Sequence, residues 1–190
     1  MVGNDIVDLE EAKRASNWQR SRFLNKLFAP KEQQLIYSSE NPFIMVWRLW
    51  SMKEAAYKLY TQQNPSRFYN PKGFECHFDN EEGSVRFKNF ECQTKTKFTS
   101  EYILSEARLL DFKMTSKVIE FEEDSNIQSE VTKAALLNEF SKTYQVSVDD
   151  LKIEKSEFGI PTVVFNTEKF QVSWSHHGGF GAYVVFQIIV

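Results

Sequence analysis

Cysteine and histidine are scarce in this chain, which has 190 residues but only two cysteines and three histidines. Cys76 and Cys92 are too few for the disulfide framework of a small secreted protein, and the first residues carry no signal-peptide pattern. Uninterrupted apolar runs are also short, and none approaches the ~20 residues that a membrane-spanning helix needs. These absences lead us to expect a reduced cytoplasmic protein without a membrane segment.

An overall excess of basic charge is missing too, since the formal net charge is −3 and the pI is about 5.7. The chain as a whole therefore has no general attraction to nucleic acid. The charge is uneven, however, because residues 12–31 contain only basic ionisable side chains: Lys13, Arg14, Arg20, Arg22, Lys26 and Lys31. Such a stretch is typical of a solvated helix face, or of a docking surface for an acidic protein or a polyphosphate.

Apolar residues are abundant, with 42% hydrophobic content and 17 phenylalanines, enough for one large domain or two small packed lobes. Apolar spacing predicts helices over residues 9–26, 30–38, 43–61 and 127–143. Predicted strands are residues 6–9, 74–78, 85–90, 92–98, 102–110, 116–121, 151–153, 162–165, 170–174 and 181–190, with an acidic turn at 122–126. Since each half runs from helix to sheet, we expect an α+β fold of two pseudo-twofold-related lobes, each with helices packed on an antiparallel sheet. Residues 1–112 would form the first lobe and residues 113–190 the second.

Carboxylates and an ammonium group stand in two short runs, residues 3–8 and 49–58. Asp5 opens a predicted buried strand, and Glu54 and Lys58 lie one turn apart on one face of a predicted helix. This combination suits a hard cation bound to a phosphate ester. Simpler interpretations stay open: Asp5 could cap a backbone turn, and Glu54 and Lys58 could form an ordinary surface ion pair. Asp8 is the better N-cap candidate for the first helix.

A third run, residues 172–179, ends a predicted strand with two serines, two histidines and two glycines. Adjacent strand residues point apart, so His176 and His177 make a poor two-histidine metal site. A histidine beside Ser175 is better suited to hydrogen bonding with phosphate oxygens.

Read together, the three runs resemble the motifs of the 4'-phosphopantetheinyl transferases. These enzymes use Mg²⁺ to move the phosphopantetheine arm of coenzyme A onto a serine of a carrier protein. The Gly-x-Asp strand of the family is similar to Gly3–Asp5, and its Trp-x-x-Lys-Glu-Ala/Ser-x-x-Lys helix is similar to Trp50–Lys58. Its Ser-x-Ser-His run is similar to Ser173–His176, and Phe28–Glu32 resembles the acidic helix between the first two motifs.

The order of the motifs bears on the architecture that the resemblance implies. Here Gly-x-Asp comes first and Ser-His last, as in the small trimeric holo-carrier-protein synthases, which are far shorter than this chain. Residues 74–110 resemble the second-lobe sheet of the larger, surfactin-synthetase-activating type, and residues 127–190 resemble its first lobe. We therefore expect a monomer with two lobes in swapped order and a site at their junction. A homotrimer with an insertion is the alternative.

Carried over by motif, the resemblance implies that Asp5 and Glu54 bind Mg²⁺, which would also take pyrophosphate oxygens and water. Glu54 or a metal-bound water would accept the serine proton. Lys58 would offset charge on the bridging oxygen as adenosine 3',5'-bisphosphate leaves. The resemblance assigns three further residues to coenzyme A binding: Ser175, His176 and Lys53.

Two positions depart from the family pattern. Val7 stands where larger members carry a third carboxylate, so the metal would need water or another acid such as Glu32. Ile160 stands where the family often has Lys or Arg, so either another cation such as Lys169 contacts the 3'-phosphate or coenzyme A binds less tightly. The implied protein partner is an apo acyl or peptidyl carrier protein, whose acidic surface would meet the basic 13–26 helix.

Three functions follow from these observations. Residues for metal, proton and leaving group favour the transferase, an enzyme. A coenzyme A or carrier-protein binding module that has lost turnover is the alternative, and Val7 and Ile160 favour it. A metal-dependent phosphodiesterase would need more His and Asp than the chain offers.

Overall fold

The first half of the chain is a lobe built on a five-stranded antiparallel sheet with strand order β1-β5-β4-β3-β2. The structure is a computed structural model and describes residues 1–66, 68, 70–109, 114–121 and 127–186. The strands are β1 Val2–Asp8, β2 Glu75–Asp79, β3 Glu82–Phe87, β4 Phe90–Phe98 and β5 Tyr102–Arg108. The helices between β1 and β2 are α1 Leu9–Ala15, α2 Phe23–Leu27, α3 Pro30–Ser38 and α4 Pro42–Gln63, followed by a 3₁₀ turn at Pro71–Gly73.

The second half forms another five-stranded antiparallel sheet, with strand order β6-β10-β9-β8-β7. Its strands are β6 Met114–Glu120, β7 Lys152–Lys155, β8 Pro161–Phe165, β9 Glu168–His177 and β10 Phe180–Phe186. Helix α5, Gln128–Tyr144, and a 3₁₀ turn at Val148–Asp150 lie between β6 and β7.

The two sheets repeat one topology. Each begins with an edge strand, continues through helix, and returns as a four-strand meander whose last strand pairs with the edge strand. This repeat confirms the predicted α+β fold of two related lobes. The second lobe has its own sheet and its own core. The boundary predicted between residues 112 and 113 and the turn predicted at 122–126 lie outside the described residues.

Each lobe has a core, and a third apolar cluster joins them. The first core packs α4 and the α1–α3 segment against the first sheet, and includes Phe28, Leu49 and Phe74. The second packs Leu136 and Phe140 of α5 against the second sheet. The third cluster lies between the sheets and consists of Ile6, Leu104, Phe180 and Ala182. Burial of Ile6 from β1 against Phe180 and Ala182 from β10 ties the lobes together.

One predicted helix is wrong in extent. Helix α1 begins after Asp8, whose Oδ1 accepts the backbone N–H groups of Glu10 and Glu11 at 2.9 and 3.0 Å, as predicted for an N-cap. The helix ends at Ala15, however, and Arg22 adopts a left-handed φ of 69° before α2. Because left-handed backbone cannot continue a right-handed helix, the basic residues at 13–26 lie on two short helices and the turn between them. No helix within the described residues is long and apolar enough to cross a membrane.

Candidate active site

A glycine lets β1 lie directly against α4. A Cβ at Gly3 would come within 2.0 Å of the Ala55 carbonyl oxygen, so the backbones approach more closely than any side chain would allow. Strand alternation then turns Asp5 and Val7 towards α4, while Asn4 and Ile6 face the second lobe. This approach brings Asp5 beside the α4 face that carries Glu54 and Lys58.

Asp5 and Lys58 form an ion pair at this contact. The Lys58 Nζ donates to Asp5 Oδ1 at 3.0 Å and to the Asn4 carbonyl oxygen at 2.8 Å. The Asp5 side chain is 14% exposed and that of Lys58 is 30% exposed, so the pair is shielded but still open to solvent. Glu54 lies one turn earlier on α4 and completes a group of two carboxylates and one ammonium.

Both carboxylates are harder to ionise than usual. Burial, followed by the neighbouring Asp5 carboxylate, raises the pKa of Glu54 to about 7 against the opposing effect of Lys58. Burial also raises the pKa of Asp5, and Lys58 opposes that shift. Two acids that repel each other in a shielded position are poised either to share a proton or to bind a cation.

The two carboxylates of Asp5 and Glu54 suit Mg²⁺ better than a metal whose ligands all come from the protein. The part of the chain that the structure describes contains no group of three or more His, Cys, Asp or Glu side chains able to hold a metal ion. Mg²⁺ commonly takes one or two carboxylates and completes its shell with water and substrate phosphate. Asp5 and Glu54 match that pattern.

Glu32, considered as a replacement for the missing third carboxylate, lies elsewhere. It is 3% exposed, its Oε2 accepts from Ala29 N and Lys53 Nζ at 2.7 and 2.8 Å, and its Oε1 accepts from Cys76 N at 3.0 Å. Val7 is buried in the first core.

Lys53 is also away from this group, which corrects its assignment to coenzyme A binding. Its side chain is 1% exposed and pairs with Glu32 at 2.8 Å. The same ammonium donates to the carbonyl oxygens of Pro71 and Phe74. Because the Lys53 ammonium is buried in the first core and its donors are occupied, it cannot contact a ligand phosphate.

A cavity of about 260 Å³ opens beside Lys58, between α4 and the second lobe. Its walls include Lys58 and Gln62 from α4, Trp174 from β9, and Lys155 and Ile160 from the β7–β8 region. The Lys155 Nζ lies 5.5 Å from the centre of the Trp174 ring, within the range of a cation–π contact. The cavity therefore combines two cations with an aromatic surface.

Lys169, which the sequence suggested as a substitute for a cation at Ile160, is not among the residues lining this cavity. Its ammonium pairs with Glu154 at 2.9 Å on the exposed surface, and the two side chains are 63% and 50% exposed.

Ser173 and Ser175 join the two lobes. The Asn4 backbone N–H donates to Ser173 Oγ at 3.0 Å, and the Ser173 hydroxyl donates to Asn4 Oδ1 at 2.6 Å. The Asn4 Nδ2 donates to Ser175 Oγ at 3.2 Å. Asn4 is fully buried, and Ser175 is only 7% exposed. The Ser175 hydroxyl, predicted to hold coenzyme A, is thus engaged at the lobe interface.

The two histidines have different surroundings. His176 is exposed, and its pKa is lowered first by partial burial and then by the Lys58 charge. His177 Nδ1 accepts from Asp8 N at 3.0 Å, and Asp8 Oδ2 accepts from Gly179 N at 2.7 Å. Residues 173, 175 and 177 alternate with 174 and 176 along β9. His176 therefore shares a strand face with Trp174, and His177 belongs to the lobe interface.

Sequence reasoning missed four residues at this site. Asn4 and Trp174 lie within the runs 3–8 and 172–179, and alternation with their neighbours was the signal for the strand face of each. Lys155 and Gln62 gave no local signal, because their place beside Lys58 depends on how the lobes pack.

Comparison with known proteins identifies the family of this chain. A family profile described as the 4'-phosphopantetheinyl transferase superfamily matches residues 1–115, which include Asp5, Glu54 and Lys58. A holo-[acyl-carrier-protein] synthase of Chlamydia muridarum is 33% identical over 57 residues, which are 30% of this chain and 46% of that protein. The chain thus spans about half the length of this curated relative.

Two solved structures were also similar. A holo-[acyl-carrier-protein] synthase of Thermotoga maritima has a TM-score of 0.42 and 12% identity, over 88% of this chain and 83% of that one. The Helicobacter pylori holo-[acyl-carrier-protein] synthase, solved in complex with coenzyme A, has a TM-score of 0.27 and 14% identity, over 98% and 100%. Similarity at this level carries no inference about the site. The profile match covers more than half of the chain, and the chain therefore belongs to the 4'-phosphopantetheinyl transferase superfamily.

Proposed function

We propose that this protein transfers the 4'-phosphopantetheine group of coenzyme A to a serine of an apo acyl or peptidyl carrier protein, and releases adenosine 3',5'-bisphosphate. The observation that carries the proposal is the meeting of Asp5, Glu54 and Lys58 where β1 lies against α4. Family membership supports the same reaction class.

Asp5 and Glu54 would hold Mg²⁺. When bound, the ion would supply positive charge to the diphosphate of coenzyme A and neutralise the two carboxylates. The rest of the chemistry concerns the chain's own residues.

In the transfer, the carrier serine Oγ forms a bond to the phosphorus that bears the pantetheine arm, and the P–O bond to the nucleotide phosphate breaks. Glu54 accepts the serine proton as the general base. Lys58 offsets the negative charge that develops on the departing phosphate oxygen. Its contact with Asp5 at 3.0 Å keeps this ammonium at the edge of the cavity.

The cavity beside Lys58 would hold the nucleotide half of coenzyme A. Lys155 would pair with a phosphate and so replace a cation at Ile160, while the Trp174 ring would offer a face to the base. His176, on the Trp174 side of β9, would hydrogen-bond a phosphate oxygen.

The acidic carrier protein would dock on the basic segment 13–26. Lys13, Arg14, Arg20 and Arg22 are exposed there, and complementary charge guides the orientation of two proteins more than it adds affinity. Although these basic residues lie on two short helices and the turn between them, they all belong to one continuous segment of the first lobe.

The test is a mass measurement. Incubation of the protein with coenzyme A, Mg²⁺ and an apo carrier protein should add one phosphopantetheine mass to the carrier, and Glu54→Gln should slow this by at least ~10². No mass gain with several different carriers would contradict the transferase proposal.

A binding module without turnover is the second candidate, and two apolar side chains favour it. Val7 provides no third carboxylate, and Ile160 provides no charge to the cavity it lines. Saturable coenzyme A binding without transfer to any carrier would support this candidate.

A further inference from the structure

A second cavity, of about 350 Å³, opens on the other side of Glu54 along α4. It lies between the α1–α2 segment, α4 and the end of β9, and we call it the tryptophan cavity. Trp47, Trp50, Phe23 and Leu27 form its apolar walls, and Ser16, Arg20, Lys26 and His177 complete its lining. Its volume falls within the ~300–1,000 Å³ range of small-molecule sites.

Trp47, one of the residues that line the tryptophan cavity, carries a buried donor that lacks an acceptor. Trp47 is 6% exposed, and its Nε1 has no hydrogen-bond partner among the described residues. A buried N–H without an acceptor is costly and uncommon. His177 adds a second donor to the lining, because its Nδ1 accepts from Asp8 N and the hydrogen of the neutral ring therefore sits on Nε2.

The cavity adjoins the carboxylate pair. Trp47, Trp50 and Glu54 stand at positions i, i+3 and i+7 of α4, and so share one face of the helix. At 1.5 Å per residue, Trp47 lies about 10 Å along the helix axis from Glu54. His177 is bonded to the last residue of β1, the strand that carries Asp5.

We propose that the tryptophan cavity binds the pantetheine arm of coenzyme A, with the Trp47 indole N–H donating to an amide carbonyl of the arm. The inference rests on the proposed function. The arm is a mostly saturated chain with two amides, so it matches apolar walls that carry a few hydrogen-bond donors. It is also long enough to reach from a phosphorus at Glu54 to Trp47. Lys58 and Lys155, the cations suited to the nucleotide phosphates, lie at the opposite end of the site.

The experiment compares two ligands that differ by the arm. Calorimetric titrations with Mg²⁺ present would measure coenzyme A and adenosine 3',5'-bisphosphate against the unaltered protein, Trp47→Phe and Ser16→Phe. Trp47→Phe removes the N–H and keeps an aromatic ring, and should weaken coenzyme A binding about 3- to 10-fold, the value of one hydrogen bond. Ser16→Phe narrows the cavity and should weaken it further. The bisphosphate should bind all three proteins equally.

Trp18→Phe is the matched control, because Trp18 lines a different cavity of the same basic segment. It should bind both ligands as the unaltered protein does. Unchanged coenzyme A affinity in both Trp47→Phe and Ser16→Phe would overturn this inference but not the proposed function. A raised KM for the carrier protein at unchanged coenzyme A affinity would also overturn it, since the cavity would then receive a carrier side chain. Failure of the unaltered protein to bind coenzyme A would overturn the proposed function as well.

Discussion

Replacement of Glu54 by glutamine should stabilise the metal-free protein near neutral pH while it slows the reaction. Glutamine keeps the shape of the side chain but cannot ionise. In the folded protein Glu54 is partly buried beside Asp5, and its pKa rises from 4.5 to about 7. Folding therefore has to accommodate a carboxylate that is more costly to ionise in the native state than in the unfolded chain.

The sign and size of this change in the free energy of unfolding follow from proton linkage. Between pH 4.5 and about 7 the folded state binds more protons at Glu54 than the unfolded state, so this group makes the free energy of unfolding fall as pH rises. A shift of about 2.5 units at 1.36 kcal/mol each corresponds to a loss of up to about 3 kcal/mol, complete above pH 7. Glu54→Gln removes that loss.

Urea denaturation in the presence of EDTA at pH 5, 6.5 and 8 would measure the effect. The stability advantage of Glu54→Gln should be small at pH 5 and grow to as much as about 3 kcal/mol at pH 8. Mg²⁺ should stabilise the unaltered protein more than the variant, because binding to the native state adds to its stability.

Glu75→Gln serves as the control, since Glu75 is exposed on β2, and it should show no such trend. An advantage of Glu54→Gln that does not change with pH, or a variant less stable than the unaltered protein at pH 8, would refute the reasoning.

Three further predictions follow. If Lys155 contacts the 3'-phosphate, Lys155→Gln should raise the KM for coenzyme A and leave the KM for 3'-dephospho-coenzyme A unchanged. Lys169→Gln is the control, because it alters only an exposed ion pair, and it should leave both values unchanged. Asn4→Ala should lower the free energy of unfolding by about 2–3 kcal/mol, measured by urea denaturation, because it strands buried serine hydroxyls at the lobe interface; a loss below about 0.5 kcal/mol would contradict this. Lys53→Met should cost about 3–5 kcal/mol in the same assay, because it leaves the buried Glu32 charge unpaired, and the double variant Lys53→Met/Glu32→Gln should recover part of that loss.

Much of the fold could be predicted from local pattern. Helices α3, α4 and α5 lie within two residues of their predicted bounds, because apolar spacing and the proline at the start of α3 act within a single element. The prediction of one helix over 9–26 was wrong, because apolar periodicity does not indicate the left-handed backbone at Arg22.

The candidate site was only partly predictable. Spacing on α4 placed Lys58 on the Glu54 face, and the structure brings Lys58 to Asp5. Lys53, which the resemblance assigned to coenzyme A binding, is instead buried with Glu32. No local pattern indicated that Glu32 would serve a core ion pair, because its partners come from distant parts of the chain.

The sequence by itself determined which chemical groups are present and, through helical and strand spacing, which of them share a face. The tertiary structure decided which faces meet. Ser173 and Ser175 lie about 170 residues from Asn4 in the chain, with separations of 169 and 171, and only the packing of one lobe on the other brings them together. The same packing gives Lys155 and Trp174 their place beside Lys58. Contacts between the lobes depend on the apolar surface that both lobes bury, and the sequence pattern of a single segment does not show this.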